Sequence, residues 1–104
     1  MGIFSFLTGK KDNSELKDAI ANKAFVVDVR SAGEFSSGSI KGAINIPLDQ
    51  INNNIAKFNG KKQIVVFCRS GMRSSQAKSI LENNGIENVI NGGGINNMYN
   101  TLSS

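Results

Sequence analysis

Residues 64–74 read Ile-Val-Val-Phe-Cys-Arg-Ser-Gly-Met-Arg-Ser, and this stretch decides the fold of the chain. Its first four residues are apolar and mostly β-branched, which is typical of a strand buried on both faces of a parallel sheet. Cys68 ends the apolar run, a short loop with two arginines follows, and residues 75–81 have the character of a helix. The stretch therefore predicts a strand, a tight loop and a helix, with Cys68 at the carboxyl end of the sheet.

This position of Cys68 predicts a reactive thiol. Open α/β sheets bind ligands at the carboxyl ends of their strands, and the N–H groups and dipole of a helix N-terminus favour an anion. Arg69 and Arg73 would favour the thiolate in the same way. The alternative is that Cys68 is only a small buried apolar residue, which is the commoner role of a lone cysteine. The loop that follows favours the reactive interpretation.

The composition excludes several kinds of site. A chain of 104 residues forms a single domain with one core. One cysteine and no histidine exclude an intrachain disulfide, a Cys/His zinc site and a nucleophile activated by histidine. We expect no metal and no cofactor. Any nucleophile must be activated by its surroundings.

The charge is unevenly distributed. The chain carries +4, but the segment between Gln50 and Leu81 has six basic residues and no acidic one, so the remainder carries −2. Because this basic segment surrounds the Cys68 loop, it predicts a small anionic substrate or an acidic partner. Its lysines are not interleaved with aromatic residues, so nucleic acid is not the expected ligand.

The rest of the chain alternates between helical and extended patterns. Strands are predicted at 25–29, 43–46, 64–67 and 88–90, and helices at 14–22, 74–83 and 95–102, with Ser14 as an N-cap. Residues 91–94, Asn-Gly-Gly-Gly, are predicted as a flexible turn. This alternation predicts an α/β domain with a mainly parallel central sheet and helices on both faces.

The first 13 residues are predicted as a tail before a domain at 14–104. Only residues 3–7 are mainly apolar, and the lysines follow them, unlike a signal peptide. No stretch approaches the length of a membrane span. We expect a cytoplasmic monomer.

Three motifs resemble those of the single-domain rhodaneses, over about residues 14–102. The first runs from Asp28-Val29-Arg30 through Glu34-Phe35 to residues 38–47, Gly-Ser-Ile-Lys-Gly-Ala-Ile-Asn-Ile-Pro. The second is residues 66–74, which look like the active-site loop of that family, and the third is Gly93-Gly94 followed by an apolar residue. Two departures are Ser39, where the family often has histidine, and Ile95 and Met98, where it usually has tryptophans.

The resemblance implies a single rhodanese-like domain and a thiosulfate sulfurtransferase. Cys68 would attack the outer sulfur of a donor such as thiosulfate, release sulfite and carry a persulfide to cyanide, a thiol or a protein. The residues expected to bind the substrate are those of the loop: Arg69, Ser70, Gly71, Met72, Arg73 and Ser74. Their backbone N–H groups can form an anion-binding concavity, with φ > 0 at Gly71.

Three residues near the loop are expected to be structural. Arg30 is predicted to pair with Glu34 beside the pocket, and Asp28 to accept backbone N–H bonds. Ser70 and Ser74 have two interpretations, since each can bond the sulfur or cap the helix.

Two other functions remain open on the sequence. One is a phosphatase or arsenate reductase of the same fold. The length of the loop argues against it, because the loop from Cys68 to Arg73 has six residues and the corresponding loop of such phosphatases is one residue longer. The other is a persulfide carrier or protein-binding module without turnover of its own. A carrier and an enzyme need the same persulfide, so the sequence does not separate them.

Overall fold

Four parallel strands form the centre of the computed structural model, which describes residues 13–103. The strands are β1 (Phe25–Asp28), β2 (Ile44–Asn45), β3 (Ile64–Cys68) and β4 (Val89–Gly94), in the spatial order β2-β1-β3-β4. Every neighbouring pair is parallel. The helices are α1 (Ser14–Ala21), α2 (Ala32–Ser36), α3 (Met72–Asn83) and α4 (Ile95–Ser103), with 3₁₀ segments at Leu48–Gln50 and Asn52–Phe58. The predicted α/β fold with a parallel sheet is confirmed.

The central strand β3 is buried on both faces. Ile64, Val66 and Cys68 belong to one apolar cluster, and Val65 and Phe67 belong to the other. The first cluster includes Ala77 and Leu81 of α3, Phe58 of the second 3₁₀ segment, and Ile51 between the two 3₁₀ segments. The second includes residues of α1 and α4, namely Leu16, Ala19 and Met98. Covering both faces with helices is what makes β3 continuously apolar, since successive strand residues point to opposite faces.

The predicted flexible turn at residues 91–94 is wrong, because these residues continue β4. Val66 pairs with Asn91 and Phe67 with Gly93, so Gly92 is an extra residue that forms a β-bulge. A Cβ atom at Gly92 would lie 2.6 Å from the Met98 sulfur, and one at Gly94 would lie 2.5 Å from the Arg69 carbonyl oxygen. The glycines therefore allow close packing on α4 and on the Cys68 loop.

Two helix starts differ from the prediction. Ser14 is the first residue of α1, not its cap: Asn13 occupies the N-cap position without a side-chain capping bond. The helix after the loop begins at Met72, two residues before the predicted Ser74. No helix within residues 13–103 is long and apolar enough to cross a membrane. The predicted tail lies almost wholly outside the described residues.

Candidate active site

The loop after β3 wraps around the sulfur of Cys68. The N–H of Gly71 donates to Sγ at 2.9 Å, and the N–H of Ser74 donates to it at 3.4 Å. Gly71 has φ +105°, the left-handed conformation that the sequence predicts and that glycine adopts without strain. This turn leads directly into α3, so the sulfur lies at the N-terminus of a helix, where N–H groups favour negative charge.

The surroundings of Cys68 act on its pKa in opposite directions. Burial raises the pKa of the thiol, since the residue is only 1% exposed. Hydrogen bonds from the Ser74 hydroxyl and from the N–H groups of Ser74, Gly71 and Ser70 lower it, and they outweigh burial. The pKa of Cys68 therefore lies below that of an ordinary cysteine, and hydrogen bonds to the sulfur provide the lowering.

The Ser74 hydroxyl is buried between the loop and β4. Its Oγ lies 3.5 Å from the Cys68 sulfur, 3.0 Å from the Gly71 carbonyl oxygen and 2.7 Å from Asn91 Oδ1. Of the two interpretations of Ser74, contact with the sulfur holds and the helix cap does not, because the N-cap of α3 is Gly71. Ser70 is exposed and does not occupy the cap position either.

The ion pairs near the loop differ from the prediction. Arg30 does not pair with Glu34. Its Nη2 lies 2.7 Å from Asp28 Oδ2, while Glu34 pairs with Arg73 at 2.7 Å. Arg73 and the N–H and hydroxyl groups of Ser31 lower the pKa of Glu34 to about 2. Because Arg30 follows β1 by two residues, its guanidinium folds back onto the carboxylate at the end of the same strand.

Asp28 is fully buried and serves as the acceptor at the centre of a polar cluster. Its Oδ1 accepts from the N–H of Arg30 at 2.9 Å, which confirms that Asp28 accepts a backbone N–H bond. The guanidinium of Arg30 also reaches the Gly38 carbonyl oxygen at 2.7 Å. Ser39, where the family often has histidine, donates to Asp28 Oδ2 at 2.8 Å. This cluster fixes the segment that follows β1 beside the loop.

The two loop arginines lie beside two open cavities. A cavity of about 570 Å³ is lined by Arg69, Ser70, Arg30 and Glu34, among others. A cavity of about 710 Å³ is lined by Arg73 together with the start of α2 and the first 3₁₀ segment. Within residues 13–103, Arg69 has no carboxylate at ion-pair distance, whereas Arg73 is paired with Glu34. The Met72 side chain is 74% exposed at the start of α3.

Asn91 is a site residue that the sequence did not predict. Its side chain connects the bulge of β4 to Ser74, because Oδ1 also accepts from the N–H of Gly93 at 2.8 Å. The available signal was its place at the carboxyl end of a strand next to β3. The glycines at residues 92–94 concealed that signal, because a glycine run predicts a turn. No group of three or more metal-binding side chains is present within the described part of the chain.

The whole arrangement, from α1 to α4, matches a known protein family. The family model of the rhodanese-like domain matches residues 12–100. This chain belongs to the rhodanese-like family. The match spans β1, the Cys68 loop and the bulge of β4, so it includes every element that builds the site. The resemblance carried by the three motifs is thereby confirmed.

Individual known proteins are similar to this one over about two thirds of the chain. The chain is 38% identical over 71 residues to Escherichia coli thiosulfate sulfurtransferase PspE, covering 66% of this chain and 68% of that protein. It is 36% identical over 69 residues to the Bacillus subtilis protein YqhL, covering 66% of this chain and 55% of YqhL. The solved structure of a rhodanese with anions from E. coli superimposes with TM-score 0.64 at 36% identity, covering 69% of this chain and 87% of that one. The chain thus spans little more than half the length of YqhL.

Proposed function

We propose that this protein is a sulfurtransferase that moves a sulfane sulfur through a persulfide on Cys68, with thiosulfate or a similar small anion as donor. The single observation that carries the proposal is the pair of N–H bonds from Gly71 and Ser74 to the Cys68 sulfur. These donors favour the thiolate form without a neighbouring base, and the chain has no histidine to act as one.

The first half-reaction makes the persulfide. The Cys68 thiolate attacks the outer sulfur of thiosulfate, a new S–S bond forms, and the bond to the sulfite group breaks with its electron pair. Sulfite leaves as a dianion, and the persulfide retains the single negative charge of the thiolate. The N–H groups that stabilise the thiolate are then placed to stabilise the persulfide anion, since they need not reorganise during the reaction.

The second half-reaction returns the thiolate. An acceptor such as cyanide or a thiolate attacks the outer sulfur of the persulfide, and the S–S bond breaks toward Cys68. Because Cys68 is only 1% exposed, its sulfur is accessible only to a reactant that can enter a narrow space. This restriction favours a small donor. Arg69, which has no carboxylate at ion-pair distance within residues 13–103, lies at the adjacent cavity and favours an anionic donor. A thiol that must stay reduced also fits a cytoplasmic location.

An intact-mass measurement tests this proposal. Treatment with thiosulfate should add the mass of one sulfur atom to the protein, and cyanide should remove it and release thiocyanate. Cys68→Ser is the matched control, because it deletes the only thiol and changes one atom. Sulfur that adds to the Cys68→Ser variant, or transfer that this variant retains, would overturn the proposal. A protein that loads sulfur but does not turn over with cyanide or small thiols would be a carrier.

A further inference from the structure

The Ser74 hydroxyl has more acceptors around it than it has protons. Its Oγ lies 2.7 Å from Asn91 Oδ1, 3.0 Å from the Gly71 carbonyl oxygen, and 3.5 Å from both the Gly93 carbonyl oxygen and the Cys68 sulfur. The Ser74 side chain is fully buried, so bulk water cannot donate to the acceptors that the hydroxyl proton leaves unbonded. A serine hydroxyl carries one proton and can direct it at one acceptor at a time.

The orientation of the Asn91 amide follows from its second hydrogen bond. The N–H of Gly93 donates to Oδ1 at 2.8 Å, which requires an oxygen at that position. Asn91 therefore presents only an acceptor to Ser74. The contact of 2.7 Å is the shortest that the hydroxyl makes, so the proton is directed at Asn91 while Cys68 is a neutral thiol. The thiol can then donate its own proton to Ser74 Oγ.

Ionisation of Cys68 reverses these roles. A thiolate only accepts, so its bond from Ser74 requires that the hydroxyl proton turn away from Asn91. The Ser74 and Asn91 oxygens then lie 2.7 Å apart with no proton between them. We propose that Asn91 is a positioning residue for the nucleophile: it holds the Ser74 proton in the thiol state and competes with the thiolate for it. The significance for catalysis rests on the proposed function of Cys68.

The charged groups around the loop do not explain this competition. Arg69 lies in the loop and Arg73 on α3, Asp28 ends β1 and Arg30 follows it by two residues, and Glu34 lies on α2. Arg30 is paired with Asp28, and Arg73 with Glu34. None of these side chains is changed when Asn91 is replaced, so a comparison of Asn91 variants isolates the hydroxyl.

A titration of the thiolate by its ultraviolet absorbance tests the inference. The protein has one cysteine and one tyrosine, so subtraction of the Cys68→Ser spectrum leaves the signal of Cys68 alone. Asn91→Ala should lower the midpoint, with an increase of about two- to tenfold in the thiolate-to-thiol ratio at a fixed pH, the effect of one hydrogen bond. Ser74→Ala should raise the midpoint. In the Ser74→Ala background, Asn91→Ala should have no further effect.

Asn97→Ala is the matched control for a loosened strand. Asn97 donates to the Gly92 carbonyl oxygen at 2.7 Å, beside Asn91, but has no bond to Ser74. An equal midpoint shift in Asn97→Ala, or an Asn91→Ala shift that is absent, upward or independent of Ser74, would overturn the proposal. If Asn91→Ala does not fold, Asn91→Asp replaces it, because the carboxylate keeps the acceptor. Asn91→Asp should raise the Cys68 midpoint, and this rise should be smaller when Ser74 is alanine. A rise of equal size with and without the Ser74 hydroxyl would also overturn the proposal.

The titration is independent of sulfur transfer. If the midpoints shift as expected but thiosulfate does not load Cys68, the proposed function fails and the role of Asn91 stands. If sulfur loads normally but the midpoints do not depend on Asn91 through Ser74, the role of Asn91 fails and the proposed function stands.

Discussion

Glu34 and Arg73 lie 39 positions apart in the sequence and form a two-point ion pair in the fold. Arg73 Nη1 donates to Glu34 Oε1 at 2.7 Å, and Nη2 donates to Oε2 at 3.0 Å. Oε1 also accepts from the N–H of Ser31 at 3.1 Å, within a capping box at the start of α2. The pair therefore ties α2 to the first turn of α3 and fixes the direction of Arg73 beside the Cys68 loop.

The stability of this contact should depend on pH in the acid range. The pKa of Glu34 is about 2 in the folded protein, below its ordinary value of 4.5, because of Arg73 and Ser31. A lowered pKa stabilises the fold above about pH 4.5, and this contribution is lost as the pH falls toward about 2. Glu34→Gln should therefore reduce the melting temperature at pH 7. It should also make the melting temperature fall less as the pH is lowered from about 4.5 toward 2. The effect is modest because the pair is partly exposed and screened.

Glu82→Gln is the control for Glu34→Gln. Glu82 is an exposed glutamate near the other end of α3, so the variant removes the same charge away from the loop. Thermal melts at several pH values compare the two variants with the natural protein. Equal acid profiles for the natural protein and Glu34→Gln would show that the ion pair contributes nothing.

Arg30→Ala should destabilise the fold strongly. It leaves the carboxylate of Asp28 buried without its cation, and such a loss costs about 3–5 kcal/mol. We expect about 3 kcal/mol, the lower end, because Ser39 and the N–H of Arg30 still donate to Asp28. Urea denaturation measures the change. Arg30→Lys keeps the charge but loses the bidentate guanidinium, so its stability should lie between those of the natural protein and Arg30→Ala.

An opposite pattern would assign Arg30 a different role. Arg30 also lines the cavity beside Arg69, so contact with a substrate is possible there. If Arg30→Ala abolishes sulfur transfer while its urea midpoint is unchanged, then Arg30 binds the substrate and its pairing with Asp28 is secondary.

The arrangement of strands and helices was predictable because burial leaves a strong pattern in the sequence. The continuous apolar run of β3 is typical of a strand covered on both faces, and the positions of Cys68 and Gly71 follow from where that strand ends. The partner of Arg30 was not predictable in the same way. Asp28 and Glu34 are both close to Arg30 in sequence, and the choice depends on which carboxylate is buried and which is claimed by Arg73 from α3.

The residues of the β4 bulge were mispredicted for a related reason. A run of glycines indicates a turn when only local conformation is considered. In the fold, the absence of side chains at Gly92 and Gly94 serves close contacts with Met98 and with the backbone of Arg69. Those contacts join elements that are distant in sequence, so a local pattern does not contain them.

Gly94→Ala should damage the active-site loop. A Cβ at this position would lie 2.5 Å from the Arg69 carbonyl oxygen, so the backbone beside Cys68 must shift. A displacement of about 1 Å in a reacting group can cost on the order of 10²-fold in rate. Gly33→Ala on α2 is the control, since its added Cβ would meet no atom within 4 Å beyond its chain neighbours and the helix backbone. Transfer from thiosulfate to cyanide should fall in the first variant and persist in the second.

Arg69 should attract the anionic donor through its charge. It is exposed, lines the cavity beside the loop, and has no carboxylate at ion-pair distance among the described residues. Arg69→Ala should raise KM for thiosulfate with little change in stability, and the difference from the natural protein should shrink at high salt. Lys78→Ala removes a charge further along α3 and is the control. An unchanged KM in Arg69→Ala would exclude this role.

The length of the loop should select sulfur transfer over phosphate chemistry. From Cys68 to Arg73 the loop has six residues, one fewer than in the phosphatases that resemble rhodaneses. Gly71 in this loop and Ser74 directly after it point their N–H groups at Sγ from 2.9 and 3.4 Å, so these donors converge on a single sulfur. The three equatorial oxygens of a phosphoryl group in in-line attack need a wider ring. We therefore expect negligible hydrolysis of aryl phosphates beside measurable transfer from thiosulfate.

One glycine inserted after Gly71 should weaken sulfur transfer, because it separates the N–H groups of Gly71 and Ser74, and should improve the binding of oxyanions. Efficient phosphatase activity of the natural protein that disappears in Cys68→Ser would overturn the assignment.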